Sequence, residues 1–183
     1  MHAALSVFER QGIAATSIED IVAEAGYTRG AFYSSFDSID DLVLSVIDQH
    51  VDYSMKQLVT LTEEYSSPED FVAELARRGG GQAVAPPGAT RVLSVELNLY
   101  ALRNPSNRER LAERLQRMRS TIGAVIERQY AAAGLTPSLP PEEFAAMIMA
   151  MDDGLAMHAM LEPDFYPPDT FFRWIAALRP PAQ

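Results

Sequence analysis

The chain has 183 residues, 48% of them hydrophobic and 22% charged, with a formal net charge of −10. That is the composition of a globular protein with length enough for a real core. It has no cysteine, which excludes a disulfide framework, a thiolate zinc site and a cysteine nucleophile, and which fits a reducing cytoplasm. No secretory leader is expected, nor any run of about 18 apolar residues able to span a membrane.

His2 to Gln11 reads as a helix with Ala4, Leu5 and Phe8 on one face. Met1 falls at what reads as the middle of that helix, with no cap before it. An earlier start is therefore expected. A second helix follows, for which Thr16 is the expected cap and Glu19 the partner that closes a capping box. Ile18, Ile21, Val22 and Ala25 give it an apolar stripe at helical spacing. Gly26 stands where that helix must stop and where positive φ is useful. Thr28 caps a further short helix to about Ser35, in which Phe32 and Phe36 read as core. Tyr27, in the turn, either projects outward or packs. Helix, glycine turn, helix is the arrangement that sets a second helix into the major groove of DNA.

Ser38 and Asp41 predict a second capping box, opening a long helix to about Glu64. Ser66, Ser67 and Pro68 mark the next helix start, with proline at the first position; it runs through Phe71, Val72 and Leu75 to Arg78. Gly79, Gly80 and Gly81 end it, and a loop is expected to Gly88. Further helices are expected over Ala89 to Leu102, Ser106 to Ala133 (closed by Gly134), Glu142 to Leu161 and Thr170 to Leu178. Pro137 to Pro141 reads as a linker, Pro163 to Pro168 as a loop, and Arg179 to Gln183 as a frayed end. The sum is nine helices and no strand, an all-α chain.

The Glu142 to Leu161 segment is apolar all round, with Met147, Ile148, Met149, Met151, Leu155, Met157, Met160 and Leu161. Such a helix must be covered all round. Its own fold on one side and a second subunit on the other would do so; a central core helix in a monomer is the alternative.

Ala3, Ala4, Phe8, Gly12, Thr16, Ile21, Ala25, Gly26, Gly30, Tyr33, Phe36, Ser38 and Leu42 together resemble the N-terminal domain of the TetR family of transcriptional regulators. The resemblance covers roughly the first 48 residues. It implies a three-helix helix-turn-helix DNA-binding domain at 1–48, joined by the long helix to a ligand-binding and dimerisation domain at 49–183. It also implies a homodimer on a palindromic operator, with two reading helices roughly 34–36 Å apart. A small apolar or amphipathic ligand would release that DNA. No cofactor or metal is expected.

By that resemblance, Thr16, Thr28, Arg29, Gly30, Ala31, Tyr33 and Ser34 face DNA, with Thr16 and Tyr33 reaching phosphates. Arg29 can read a guanine edge or meet a phosphate. Ala31 can touch a thymine methyl or is merely small. The implied ligand pocket is lined by Tyr53, Leu58, Phe71, Leu97, Tyr100, Met118, Ile122, Met147, Met151 and His158, of which the methionines are adaptable. Each of these also reads as ordinary core. The implied dimer face holds Met149, Asp153, Ala156, Met160, Phe172 and Trp174.

Some residues depart from the family pattern. Asp37, Ile39, Ser34 and Ser35 stand where proline, lysine and larger polar or basic residues are common. Residues 1–48 have only Arg10 and Arg29 as cations, against Glu9, Glu19, Asp20, Glu24, Asp37, Asp40, Asp41 and Asp48. Phosphate neutralisation contributes much of DNA affinity. A helical ligand- or partner-binding module that has lost DNA binding is therefore the rival reading. Arg103, Arg108, Arg110, Arg114, Arg117 and Arg119, with Glu109 and Glu113 among them, read as a solvated helix face. Asp152 and His158 are six apart, so one helix does not present them together as ligands. With no glycine-rich phosphate loop and no clustered His and carboxylate set, nothing proposes an enzyme.

Overall fold

The computed structural model describes residues 2–65, 67–78, 84–86, 90–167 and 169–177. Among them are nine helices and no strand: α1 His2–Gln11, α2 Ile18–Ala25, α3 Arg29–Tyr33, α4 Ile39–Glu64, α5 Pro68–Arg77, α6 Arg91–Arg103, α7 Pro105–Ala132, α8 Pro141–Leu161 and α9 Thr170–Ala177. Met1, Ser66, Gly79 to Gly81, Gly88, Ala89, Pro168 and Leu178 to Gln183 lie outside the described residues. So do the expectations placed on them.

The chain forms two compact units, Met1–Val51 with Pro87–Arg114, and Asp52–Pro86 with Leu115–Gln183. The first has one apolar cluster. Ala4 and Phe8 of α1, Ile21 of α2, Phe32 of α3, Leu42, Val43, Val46 and Ile47 of α4, and Leu93 and Leu97 of α6 are all buried in it. This unit is larger than the segment 1–48 read from the sequence, because α6 contributes two leucines to the same core.

The start of α2 differs from expectation. The motif Thr16-Ser17-Ile18-Glu19-Asp20 offers two overlapping capping frames. Ser17, not Thr16, is the cap: its hydroxyl accepts from the Asp20 amide, and the Asp20 carboxylate accepts from the Ser17 amide at 2.9 Å. Thr16 is buried and its hydroxyl donates to the Gly12 carbonyl at 2.8 Å. Packing of Thr16 against the end of α1 thus chooses the frame. At α4, Ser38 accepts from the Asp41 amide at 3.1 Å, while the Asp41 carboxylate reaches one residue further back, to the Asp37 amide at 3.2 Å.

A further expectation in this unit fails. Arg114 is not on a solvated face: it is 2% exposed, paired with Asp48, and donates to the Leu44 carbonyl at 2.9 Å. Helical spacing alone cannot reveal a partner 66 residues away.

In the second unit α7 and α8 meet through Ile126, Tyr130, Phe144 and Ala145. The two helices run close at Gly123, where a Cβ would sit 3.4 Å from the Glu142 backbone. Leu61, Phe71 and Val125 join α4, α5 and α7. The carbonyls at the end of α4, which no helical turn can satisfy, accept from α7 instead. Gln129 donates to Thr62 and Tyr65, and Arg128 to Thr62. Ser67 caps α5 with Pro68 in the first turn, as the sequence predicts. Contrary to the sequence reading, α8 is long and apolar enough to cross a membrane by length and composition. Within the chain only 22% of its apolar window is buried.

Candidate nucleic-acid interface

The turn between α2 and α3 is built on Gly26, whose φ of 67° is a left-handed conformation. Its amide and that of Tyr27 bond back to the Ala23 and Val22 carbonyls, the double closure of a glycine-terminated helix. Thr28 then caps α3, its hydroxyl oxygen accepting from the Ala31 amide at 3.2 Å. The helix has five residues, shorter than the expected run to Ser35, because the Ser35 amide already turns back onto the Phe32 carbonyl.

Phe32 decides which way α3 faces. It is buried, edge-on to Tyr33 and 5.6 Å from the Phe36 ring, which also packs on the core. With Phe32 inward, Thr28, Arg29, Gly30, Ala31, Tyr33 and Ser34 all lie exposed. Six of the seven expected DNA-facing residues are therefore open to solvent. Thr16 is the exception: it is buried, and its single hydroxyl proton is committed to Gly12. Of the two readings of Tyr27, outward projection is the one observed: it is 71% exposed beside the turn.

Arg29 carries the positive charge of this surface. Its guanidinium pairs with Glu19 of α2, lies 5.9 Å from the Tyr33 ring centroid and reaches the Tyr33 hydroxyl at 3.5 Å. The Tyr33 hydrogen bond, followed by the Glu19 charge, holds its pKa above the ordinary arginine value. Most of the other carboxylates of residues 1–48 are also held. Glu9 accepts from Thr90, Glu24 from Ser6 and Arg10, Asp40 from Tyr100, and Asp48 from Arg114. Hydrogen bonds from the Ser17 side chain and then its backbone lower the Asp20 pKa. The acidic residues of this head are thus largely tied to the scaffold.

The sequence profile of the bacterial regulatory proteins of the tetR family matches residues 1–46. That of the BetI-type transcriptional repressor C-terminal domain matches residues 71–178. This chain belongs to the TetR family.

Members of this family are transcriptional regulators. Among relatives, an uncharacterized HTH-type transcriptional regulator of Bacillus subtilis (strain 168), YfiR, is 25% identical over 165 residues, 87% of this chain and 78% of its own. The reduced form of NemR of E. coli superposes with a TM-score of 0.80 at 16% identity, covering 100% of this chain and 96% of its own. EbrR, a multidrug binding protein crystallised with imidazole, gives 0.67 at 26% identity, covering 100% and 93%.

The residues expected to line a ligand pocket are divided by this TetR-family fold. Leu97 and Tyr100 belong to the core of the first unit. Leu58 and Phe71 pack with Leu61 and Val125, and Ile122 and Met147 with Tyr130 and Phe144. Met118 and Met151 are half-buried, Tyr53 is partly exposed, and His158 is exposed with its ring 5.5 Å from that of Tyr166. An open hollow of about 440 Å³ lies at the α7–α8 linker, lined by Tyr130, Leu135, Leu139 and Pro140 among others. None of the ten expected residues is among those that line it. Of the expected dimer face, Met160 and Trp174 are exposed and Met149 is half-buried. Ala156 and Phe172 are instead buried within their own unit. On the same helix, desolvation and then the neighbouring Asp152 push the Asp153 carboxyl above its usual range.

Proposed function

We propose that this protein is a ligand-responsive repressor that binds a palindromic operator as a homodimer in the cytoplasm and is released by a small apolar or amphipathic molecule. The observation that carries the reading is α3 itself. Its apolar side is anchored by Phe32, and Tyr27, Thr28, Arg29 and Tyr33 stand together on the exposed side. Hydrogen-bond donors grouped on an exposed helix of this size suit the major groove. The apolar surface left open on α8 and α9 supports the dimer, since a two-fold operator needs two such helices. The ligand class is supported by the multidrug binding protein among its structural neighbours. Such a ligand must bind the released and DNA-bound states with different affinity, and α4, which runs from one compact unit into the other, is the element to carry that difference.

The test is a titration of the protein's own upstream intergenic DNA by fluorescence anisotropy at fixed salt. Arg29→Ala weakens binding and Tyr33→Phe weakens it less. Unchanged affinity in both variants would remove α3 from the interface.

The rival reading, a ligand- or partner-binding module without DNA binding, is favoured by one observation. Arg10 and Arg29, the two cations of residues 1–48, are both paired with carboxylates. Absence of binding to any duplex at low salt would select it.

A further inference from the structure

We infer that Glu19 is a specificity-determining residue of the DNA interface, holding Arg29 so that it reads a base edge in preference to a phosphate. The inference rests on α3 being the reading helix.

Arg29 is the sole cation between Thr28 and Ser35. Its side chain is 59% exposed and that of Glu19 is 58% exposed, so an approaching duplex meets the two together. The pair is neutral. A phosphate brought to Arg29 meets a cation whose charge Glu19 already offsets, and it must sit beside that carboxylate. Non-specific binding, which depends on phosphate neutralisation, therefore gains little from this arginine.

A guanine edge is different. The guanidinium has five N–H donors in a fixed plane. Glu19 takes one on Nη1, and Tyr33 lies within reach of Nη2. Three remain for the O6 and N7 acceptors of guanine. Arg29 can keep Glu19 and still read the base. The Tyr33 ring beneath it and the carboxylate beside it limit its rotamers, so less freedom is lost on binding. Glu19 thus penalises the wrong contact and pre-orients the right one, which is how specificity is commonly obtained.

The experiment uses the full chain, with Glu19→Gln, Arg29→Ala and the double variant. Glutamine is isosteric and the site is exposed, so folding is not at risk. Each protein is titrated against its own upstream intergenic DNA and against a scrambled duplex of equal length, over a range of salt concentrations. Glu19→Gln binds the scrambled duplex more tightly, and its log K against log salt slope steepens by about 0.9, one further phosphate neutralised. Its preference for the upstream DNA falls roughly tenfold, within the range of one bidentate base contact. Neither change occurs in the Arg29→Ala background. Equal slopes and preferences in wild type and Glu19→Gln would overturn the inference. So would a gain undiminished by Arg29→Ala, which would make Glu19 a mere repulsive charge. Wild type that binds DNA with either of these results overturns the inference alone; failure of every variant to bind any duplex overturns the proposed function with it.

Discussion

Arg114 of α7 buries its guanidinium against Asp48 of α4. The two ends of this pair are unlike: the arginine side chain is 3% exposed and the aspartate 38%. The Arg114 Nη1 already has no hydrogen-bond partner among the described residues. Removing Asp48 leaves a buried cation whose one remaining hydrogen-bond partner among the described residues is the Leu44 carbonyl, whereas removing Arg114 leaves a carboxylate that water can reach. Asp48→Ala therefore destabilises the protein by about 3 kcal/mol, the scale of a broken buried pair. Arg114→Met, which keeps the apolar stem, costs about 1 kcal/mol. Urea unfolding of both variants checks the order. Equal losses would mean that the burial of Arg114 does not govern the pair.

Gly26 tests the turn that positions α3. A Cβ at this position meets nothing within 4 Å, so the penalty for Gly26→Ala is purely conformational, about 1–2 kcal/mol for an L-residue held left-handed. Gly26→Asn loses less, because asparagine tolerates that region. Thermal unfolding ranks the variants, with glycine most stable and alanine least.

Hydrogen bonds from Arg77 and then Arg78 push the Glu74 pKa down to about 2, from an ordinary value of 4.5. A carboxylate with a depressed folded pKa adds stability above its unfolded pKa and loses it as the pH falls through the folded one. Stability should thus decline with acidification between about pH 4.5 and about pH 2 in the wild type. Glu74→Gln should flatten that part of the curve. Denaturant titrations at stepped pH, compared between the two proteins, read the difference directly.

The exposed apolar side chains of α8 and α9 should carry self-association. Trp174 is 43% exposed and Met160 40%, and a central tryptophan is a typical interface anchor worth 2 kcal/mol or more. Trp174→Ala should raise the dimer dissociation constant about thirtyfold. Met160→Asp should act in the same direction by placing a charge in the seam. Circular dichroism should be unchanged, since both side chains lie outside the core. Sedimentation velocity measures the shift, and a wild type that stays monomeric at micromolar concentration would remove this face as an interface.

The family and the all-α architecture were legible from the residues alone, and so were most helix ends. Those signals are local. Gly26 and Gly134 adopt positive φ where the helices stop, Ser67 and Thr28 cap through a backbone amide three residues on, and Phe32 turns inward on the period of its own helix. None of this requires knowing what lies elsewhere in the chain. Where two local solutions were equally good, as in Thr16-Ser17-Ile18-Glu19-Asp20, only packing against α1 chose the cap. Long-range partners were invisible for the same reason. Arg114 and Asp48 meet across 66 residues, and Arg29 and Glu19 across two helices. The expected ligand residues shared a pattern, apolar and aromatic at helical spacing, that core and pocket have in common. Which of them became core was decided by which helices meet, because burial depends on the neighbour and not on the residue that is buried.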